Sequence, residues 1–204
     1  MQSFKIGILG DVNTGKSMLK SKYLEKGFGF LSEMNGMGPY IKQISLDNIN
    51  YRLSIWDMPG YERYHSLTIG WLNKFNGLIL MYSIIESQSF ENIKRLWITY
   101  INQNIKDING TLKIPIVLVG NKKDKEDERF ISEEEGRKIA EDNGFEFFEI
   151  SILTGENVNE AFQKLLEMMI KENKNHNINN KNILLKINNN NNKKIDKEGR
   201  CLII

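Results

Sequence analysis

Residues 10–17 read Gly10-Asp11-Val12-Asn13-Thr14-Gly15-Lys16-Ser17 and fit the pattern G-x-x-x-x-G-K-[ST]. An apolar run at residues 4–9 precedes this stretch, and a helical stretch follows from Lys16. Because its glycines let the backbone turn N–H groups towards phosphate oxygens, the strand-to-helix setting predicts a phosphate-binding loop, here called the phosphate loop. In such a loop Lys16 supplies a positive charge to the β- and γ-phosphates, and the Ser17 hydroxyl can ligate Mg²⁺.

A second motif lies far along the chain and supports the first. The stretch Asn121-Lys122-Lys123-Asp124 follows the apolar run at 114–120, where side chains at the end of a parallel strand face the ligand crevice. The Asp124 carboxylate can accept hydrogen bonds from N1–H and N2–H₂ of guanine, and adenine has no such pair of donors. This motif therefore favours GTP over ATP, with Asn121 bridging to the phosphate loop and the Lys122 stem covering the base.

A third stretch, Asp57-Met58-Pro59-Gly60, fits the pattern D-x-x-G and begins where the strand-like run at 51–57 ends. In this position Asp57 is expected to reach Mg²⁺ through a water molecule. The backbone amide of Gly60 is expected to contact the γ-phosphate. The metal site is thus predicted to consist of Ser17 and Asp57.

Strand-like runs alternate with helical stretches along the first 172 residues. This pattern predicts a doubly wound α/β fold with a six-stranded, mostly parallel sheet flanked by helices. The short, turn-rich segment at 47–50 predicts one antiparallel hairpin, because parallel strands need longer crossovers. The six predicted strands are 4–9, 40–46, 51–57, 77–83, 114–120 and 146–150, and an amphipathic last helix is predicted over 158–170.

The composition indicates one domain and excludes some partners. The chain has 204 residues, 40% of them hydrophobic, which is enough for one core. A net charge of +2 without a basic, aromatic stripe argues against nucleic acid as a partner. One cysteine and no apolar leader at the first residues predict a cytoplasmic location.

The last part of the chain has a different composition. Residues 173–200 are rich in Asn and Lys and are predicted to form a flexible tether, so that 1–172 is the domain and 173–204 the tail. The final residues Cys201-Leu202-Ile203-Ile204 fit C-a-a-X, which predicts prenylation of Cys201. A bulky, apolar terminal Ile favours geranylgeranyl over farnesyl, although the terminal residues typical of geranylgeranylation are Leu and Phe. Lipidation predicts peripheral attachment to the cytosolic side of a membrane.

These motifs, in this order and spacing, resemble the Ras superfamily of small GTPases and, within it, the Rab branch. The resemblance covers residues 4–172. The stretch at 56–64, Trp-Asp-Met-Pro-Gly-Tyr-Glu-Arg-Tyr, is similar to W-D-T-A-G-Q-E-R-F of Rabs, and 151–158 is similar to S-A-K-T-G-E-N-V. The resemblance implies the G domain of a P-loop NTPase, GTP/GDP and Mg²⁺ as ligands, and a role in vesicle traffic. It also implies effectors, an exchange factor and a prenyl-binding chaperone as partners, which would bind the switch regions and the tail.

The resemblance also implies contacts with the guanine base beyond the motif at 121–124. Phe28 stands at the family's distance after the phosphate loop for packing on the edge of the base, with Phe30 as the alternative. Ser151 and the amide of Ile152 are expected to contact guanine. Leu153 stands where the family has Lys, and its aliphatic side chain can still pack there.

Three departures from the family predict slow or impaired GTP hydrolysis. Tyr61 stands where the family places the Gln that orients the attacking water, so Lys16 and Gly60 are the catalytic residues that remain. Val12 stands where Ras proteins have Gly and Rabs usually Gly or Ser, and a branched side chain crowds the γ-phosphate. Pro59 replaces an Ala, fixes φ and removes an N–H from a segment that normally rearranges.

The first switch departs further, because no Thr occurs between Ser17 and Tyr40 to ligate Mg²⁺. Met34 takes that position when counted back from the third strand, and Asn35 takes it when counted forward from Lys16. Three hypotheses therefore stand: a slow GTPase that recruits effectors, a pseudo-GTPase scaffold, and a hydrolase that uses Tyr61 or a residue of a partner.

Both histidines, His65 and His176, have no motif partner and are predicted to lie on the surface. Trp56 ends a strand beside the switches and is a candidate contact for effectors.

Overall fold

The structure is a computed structural model that describes residues 1–25, 39–107, 109–191, 193–195 and 201–203, with side chains to residue 24 and over 39–107 and 109–175. Two units are distinguished, Met1–Met169 and Ile170–Ile204. Phe28, Met34 and Asn35 lie outside the described residues, so their predicted roles stay predictions.

The first unit contains the six-stranded, mostly parallel sheet that the sequence predicts. Its strand order is β2-β3-β1-β4-β5-β6, and only β2 and β3 run antiparallel. The strands are β1 (Gln2–Gly10), β2 (Tyr40–Leu46), β3 (Ile49–Asp57), β4 (Gly77–Ser83), β5 (Ile116–Asn121) and β6 (Glu146–Ile150). The helices are α1 (Lys16–Glu25), α2 (His65–Trp71), α3 (Ser87–Asn92), α4 (Ile98–Asn104), α5 (Glu133–Asn143) and α6 (Val158–Asn191). One π-helical turn, Ile93–Trp97, joins α3 to α4.

The central strands are continuous apolar runs because both faces of a parallel sheet are covered. Every residue of β4 and of β5 is buried. The strand registers place Gly10 opposite Met81, Asp57 opposite Ile8 and Asn121 opposite Ser83. All three predicted nucleotide motifs therefore begin or end at the carboxyl edge of one sheet.

Local sequence signals set the ends of several elements. The β2–β3 hairpin turns through only two residues, Asp47 and Asn48, whose φ angles are 51° and 60°. Asn and Asp tolerate this left-handed conformation better than other non-glycine residues, which is why the turn is shorter than the predicted 47–50. Helix α5 begins with a capping box: Ser132 Oγ accepts from the Glu135 amide, and the Glu135 carboxylate accepts from the Ser132 amide.

The prediction that His65 lies on the surface is wrong. Its side chain is only 6% exposed and packs against the rings of Trp97 and Tyr100 in tilted and edge-on orientations, at centroid distances of 4.9 and 5.8 Å. His65 begins α2 on the face that also carries the buried Thr68, three residues further on. The aromatic side chains that cover it come from residues 97 and 100, so the sequence around His65 gives no sign of its burial.

The last helix confirms the predicted amphipathic pattern in the first unit and continues beyond it. Its buried face there is Val158, Ala161, Phe162, Leu165, Leu166 and Met169. In the second unit the helix continues to Asn191, and the strands Lys193–Ile195 and Cys201–Ile203 pair antiparallel. Residues 173–191 are thus helical, because a helix satisfies its own backbone hydrogen bonds without a core. Flexibility of this segment stays a prediction.

None of the helices in the described part of the chain combines the length and the apolar character that a bilayer crossing requires.

A buried lysine next to the end of α1 leads to a first testable prediction. Lys42 of β2 is 7% exposed, donates a hydrogen bond to the Tyr23 carbonyl and lies 3.5 Å from the centroid of the Tyr23 ring. Burial lowers the pKa of Lys42 from 10.5 to about 8. Between these two values the unfolded chain binds more protons than the folded one. The contribution of Lys42 to the free energy of unfolding should therefore rise with pH from 8 to 10, by about 2 kcal/mol.

The measurement is urea unfolding of the wild type and of Lys42→Met at pH 8, 9 and 10. The variant should lose the rise, because methionine fills a similar volume and carries no titrating group. An equal rise in both proteins would show that Lys42 is not its source.

Candidate nucleotide-binding site

The phosphate loop connects β1 to α1 with a backbone that only glycine adopts easily at two positions. Gly10 has φ 134° and Gly15 has φ 100°. A Cβ at Gly10 would lie 2.2 Å from the Met81 carbonyl oxygen, and one at Gly15 would lie 2.4 Å from Nδ2 of Asn121. These contacts explain why the loop needs glycine at its first and sixth residues.

Lys16 lies inside this loop, with only 7% of its surface exposed. Its Nζ donates a hydrogen bond to the Asp11 carbonyl at 2.5 Å. Burial lowers the pKa of Lys16, and the charges of Asp57 and Asp11 oppose that shift. Gly60 of the D-x-x-G motif packs on the same group, because a Cβ there would lie 2.6 Å from Lys16 Nζ. The structure therefore brings Lys16 and Gly60 together.

The two predicted metal ligands also meet. Ser17 Oγ donates a hydrogen bond to Asp57 Oδ2 at 2.5 Å, and Lys20 Nζ lies 3.4 Å from the same oxygen. A hydroxyl and a carboxylate are hard oxygen donors, and Mg²⁺ typically takes few protein ligands and keeps several waters. This donor pair fits Mg²⁺ with phosphate and water as the remaining ligands.

The base-selecting motif is joined to the phosphate loop by hydrogen bonds. Asn121 Nδ2 donates to the Thr14 carbonyl at 2.9 Å, which is the bridge expected from the sequence. Asn121 Oδ1 accepts from the Ile152 amide at 3.4 Å, and Asp124 Oδ1 accepts from Ser151 Oγ at 2.6 Å. The two predicted base-binding segments thus lie side by side. A shared network of this kind orients the Asp124 carboxylate before a ligand arrives.

Two further residues stand at this end of the site. Lys122 adopts a left-handed backbone conformation, with φ 75°. Leu153 is 72% exposed, and its carbonyl accepts from Lys22 Nζ at 3.4 Å. An apolar side chain this exposed beside Ser151 and Ile152 has surface to offer to a base.

Val12 and Tyr61, which depart from the family pattern, line one cavity together with Gly60. Val12, Gly60 and Tyr61 face helix α3 and the π-helical turn across a space of about 520 Å³. Tyr61 is 57% exposed, and the Arg63 guanidinium lies 5.0 Å from the centroid of its ring. The structure therefore places Val12 and Tyr61 on the same side of the loop.

Sequence reasoning missed the residues that hold Asp11. Trp97 Nε1 donates to Asp11 Oδ1 at 2.9 Å, and Asn92 Nδ2 donates to Asp11 Oδ2 at 2.5 Å. These residues lie 86 and 81 positions from Asp11 along the chain. No local pattern marks such a contact, because it depends on how the helix packs beside the sheet.

One edge of the sheet carries a glycine loop around a buried lysine, a hydroxyl–carboxylate pair and the Asn121–Asp124 motif. Together these features define a P-loop nucleotide-binding domain. The family model described as Ras family matches residues 5–171. The chain is 36% identical over 168 residues to Ras-related protein Rab-3A of Homo sapiens, covering 81% of this chain and 73% of that protein. It is 32% identical over 169 residues to putative ras-related protein Rab-5B of Dictyostelium discoideum, covering 83% and 76%.

A third relative, Ras-related protein Rab-15 of Rattus norvegicus, is 31% identical over 169 residues, covering 82% of this chain and 76% of that protein. The chain belongs to the Ras family, as a Rab-like small GTPase. Membership implies binding of guanine nucleotides.

Proposed function

We propose that this protein is a prenylated, Rab-like GTP-binding protein that hydrolyses GTP slowly and recruits effectors at the cytosolic face of a membrane. The observation that carries the proposal is the pairing of an intact phosphate loop with Tyr61 and Val12 in the cavity beside it. The first feature supports nucleotide binding. The second supports slow hydrolysis.

Each part of the site has one task. Lys16 and the backbone amides of the phosphate loop hold the phosphates, and Ser17 and Asp57 hold Mg²⁺. When bound, Mg²⁺ neutralises charge on the β- and γ-phosphate oxygens. The base is held by three groups of contacts: the pair Asn121 and Asp124 with the Lys122 stem, the pair Ser151 and Ile152, and packing by Phe28 and Leu153.

Hydrolysis needs a group that orients water towards the γ-phosphate. A carboxamide can donate to one atom and accept from another at the same time, whereas the Tyr61 phenol has a single oxygen at the end of a rigid ring. The exposed position of Tyr61 beside Arg63 supports a role on the surface rather than at the phosphate. Val12 fills part of the space that a partner's arginine would use, and Pro59 stiffens the segment between Asp57 and Tyr61.

A pseudo-GTPase scaffold, whose binding does not depend on hydrolysis, is the second candidate. Val12, Pro59, Tyr61 and the absence of a Thr before Tyr40 favour it. The Lys16 and Asp57 contacts favour a site that still holds nucleotide.

The first experiment is single-turnover hydrolysis of GTP loaded on the purified protein, with the bound nucleotide identified by chromatography. We expect GTP to persist for hours. The double variant Val12→Gly, Tyr61→Gln should hydrolyse GTP about tenfold faster or more, since it restores both the space and the carboxamide. The single variant Tyr61→Phe is the matched control and should stay slow.

Rapid phosphate release by the wild type would remove the claim of impaired hydrolysis. Slow hydrolysis by both the wild type and the double variant would favour the scaffold. In that case a further part of the machinery, such as the first switch, is missing.

Membrane attachment is the second half of the proposal and rests on Cys201-Leu202-Ile203-Ile204. One prenyl chain gives reversible membrane residence, which suits a prenyl-binding chaperone as a partner. The test is the mass of the chain produced in a eukaryotic host, with Cys201→Ser as the control. A geranylgeranyl increment on the wild type alone is expected, a farnesyl increment would change the lipid, and an unmodified wild type would remove the anchor from the proposal.

A further inference from the structure

The carboxylate of Asp11 turns out of the phosphate loop towards the helices that follow β4. Both of its oxygens accept hydrogen bonds there, from Trp97 Nε1 and from Asn92 Nδ2. Gln88 Nε2 donates to Asn92 Oδ1 at 3.0 Å, which fixes the orientation of the Asn92 amide. Hydrogen bonds to an ionised carboxylate are stronger than those between neutral groups.

The backbone of the same residue holds the charged group of the phosphate loop. The Asp11 carbonyl accepts from Lys16 Nζ at 2.5 Å and from Thr14 Oγ1 at 2.9 Å. Asp11 is therefore joined to the loop through its main chain and to residues 92 and 97 through its side chain. A shift of its carboxylate would move the carbonyl that holds Lys16.

Trp97 is a rigid anchor for this contact. Its side chain is 1% exposed and belongs to the hydrophobic core. It ends the π-helical turn Ile93–Trp97, and such turns redirect the side chains of a helix and are frequent at functional sites. The His65 ring of α2 packs against the same indole in a tilted orientation, with 4.9 Å between the ring centroids. The Trp97 ring thus contacts α2 on one side and, through its N–H, the phosphate loop on the other.

We propose that Asp11 is a positioning residue, which holds the phosphate loop against Trp97 and Asn92 and thereby slows the release of bound nucleotide. The proposal rests on the proposed function, because it concerns the same nucleotide site. Asp11 contributes through loop geometry rather than through contact with the phosphates, since both carboxylate oxygens are already engaged by the helical donors.

The test is a double-mutant cycle on the dissociation rate of a fluorescent GDP from the Mg²⁺-loaded protein. Asp11→Asn leaves one oxygen for two donors, and Trp97→Phe removes one donor but keeps an aromatic ring. We expect each single variant to release GDP about tenfold faster. The double variant should release GDP no faster than the faster single variant, because both remove the same contact. Trp71→Phe is the control, because Trp71 packs on Trp56 and not on Asp11. This variant should release GDP at the wild-type rate.

Dissociation is measured at a temperature well below the unfolding midpoint of each variant. If the two substitutions act only by lowering stability, their effects on the dissociation rate should be additive in the cycle. The positioning role would be overturned if the double variant released GDP about a hundredfold faster than the wild type, or if the single variants released it at the wild-type rate. Either result would leave the nucleotide site intact. If Trp97→Phe does not fold, Asn92→Ala replaces it in the cycle with the same expected non-additivity. Wild-type protein that does not bind GDP would overturn both this role and the proposed function.

Discussion

Replacing Gly10 with alanine is expected to lower the free energy of unfolding by about 4 kcal/mol or more. At φ 134° an L-residue is strained wherever it occurs. The new Cβ would also lie 2.2 Å from the Met81 carbonyl oxygen and 3.1 Å from its carbon. These atoms are backbone of β4, a fully buried central strand, so the collision cannot be relieved by a change of rotamer.

Urea unfolding followed by circular dichroism measures this effect. Gly110→Ala is the matched control, because Gly110 also has positive φ, at 79°, but a Cβ there would meet nothing within 4 Å. The control should lose about 1 kcal/mol from backbone strain alone. Similar losses in the two variants would mean that β1 and β4 do not approach each other this closely at Gly10.

The second large effect is on binding. Lys16→Ala is expected to weaken GDP binding about a hundredfold or more, because a buried ammonium that pairs with phosphate cannot be replaced by water at the same place. The nucleotide-free protein should keep its stability or gain slightly, since the free energy spent on burying the Lys16 charge disappears. Weaker GDP binding together with unchanged or higher stability would show that Lys16 has a binding role and not a structural one.

Affinity is measured by titration with fluorescent GDP, and stability by thermal unfolding without nucleotide. Lys5→Ala is the control, because Lys5 lies on the same strand-to-loop segment with an exposed side chain. It should change neither quantity. Affinity of Lys16→Ala within threefold of the wild type would argue against phosphate binding at this loop.

Much of the fold could be predicted because its signals are local. All six strands of the sheet occur within two residues of the predicted limits, since buried parallel strands are uninterrupted apolar runs between polar turns. The capping box at Ser132 and Glu135 is likewise a local signal, because a helix N-terminus is decided within four residues.

The prediction was wrong where the decisive contact joins distant parts of the chain. His65 has charged and polar neighbours in sequence, yet Trp97 and Tyr100 bury it. The structure leaves both of its ring nitrogens without a hydrogen-bond partner among the described residues. Such burial costs free energy, and no rule for a single histidine would predict it.

The amino-acid sequence alone determined the chemistry of the site: the glycine loop with Lys16 and Ser17, the D-x-x-G motif and the Asn121–Asp124 motif are short, contiguous patterns. Tertiary structure alone decided that Asn92 and Trp97 hold Asp11, that His65 is buried, and that Val12 and Tyr61 share one cavity. The physical reason is the range of the interactions. A motif of up to eight contiguous residues can be recognised from the residues themselves. The contacts of Asp11 and His65, and the cavity shared by Val12 and Tyr61, exist only after the sheet edge and the helices beside it have packed.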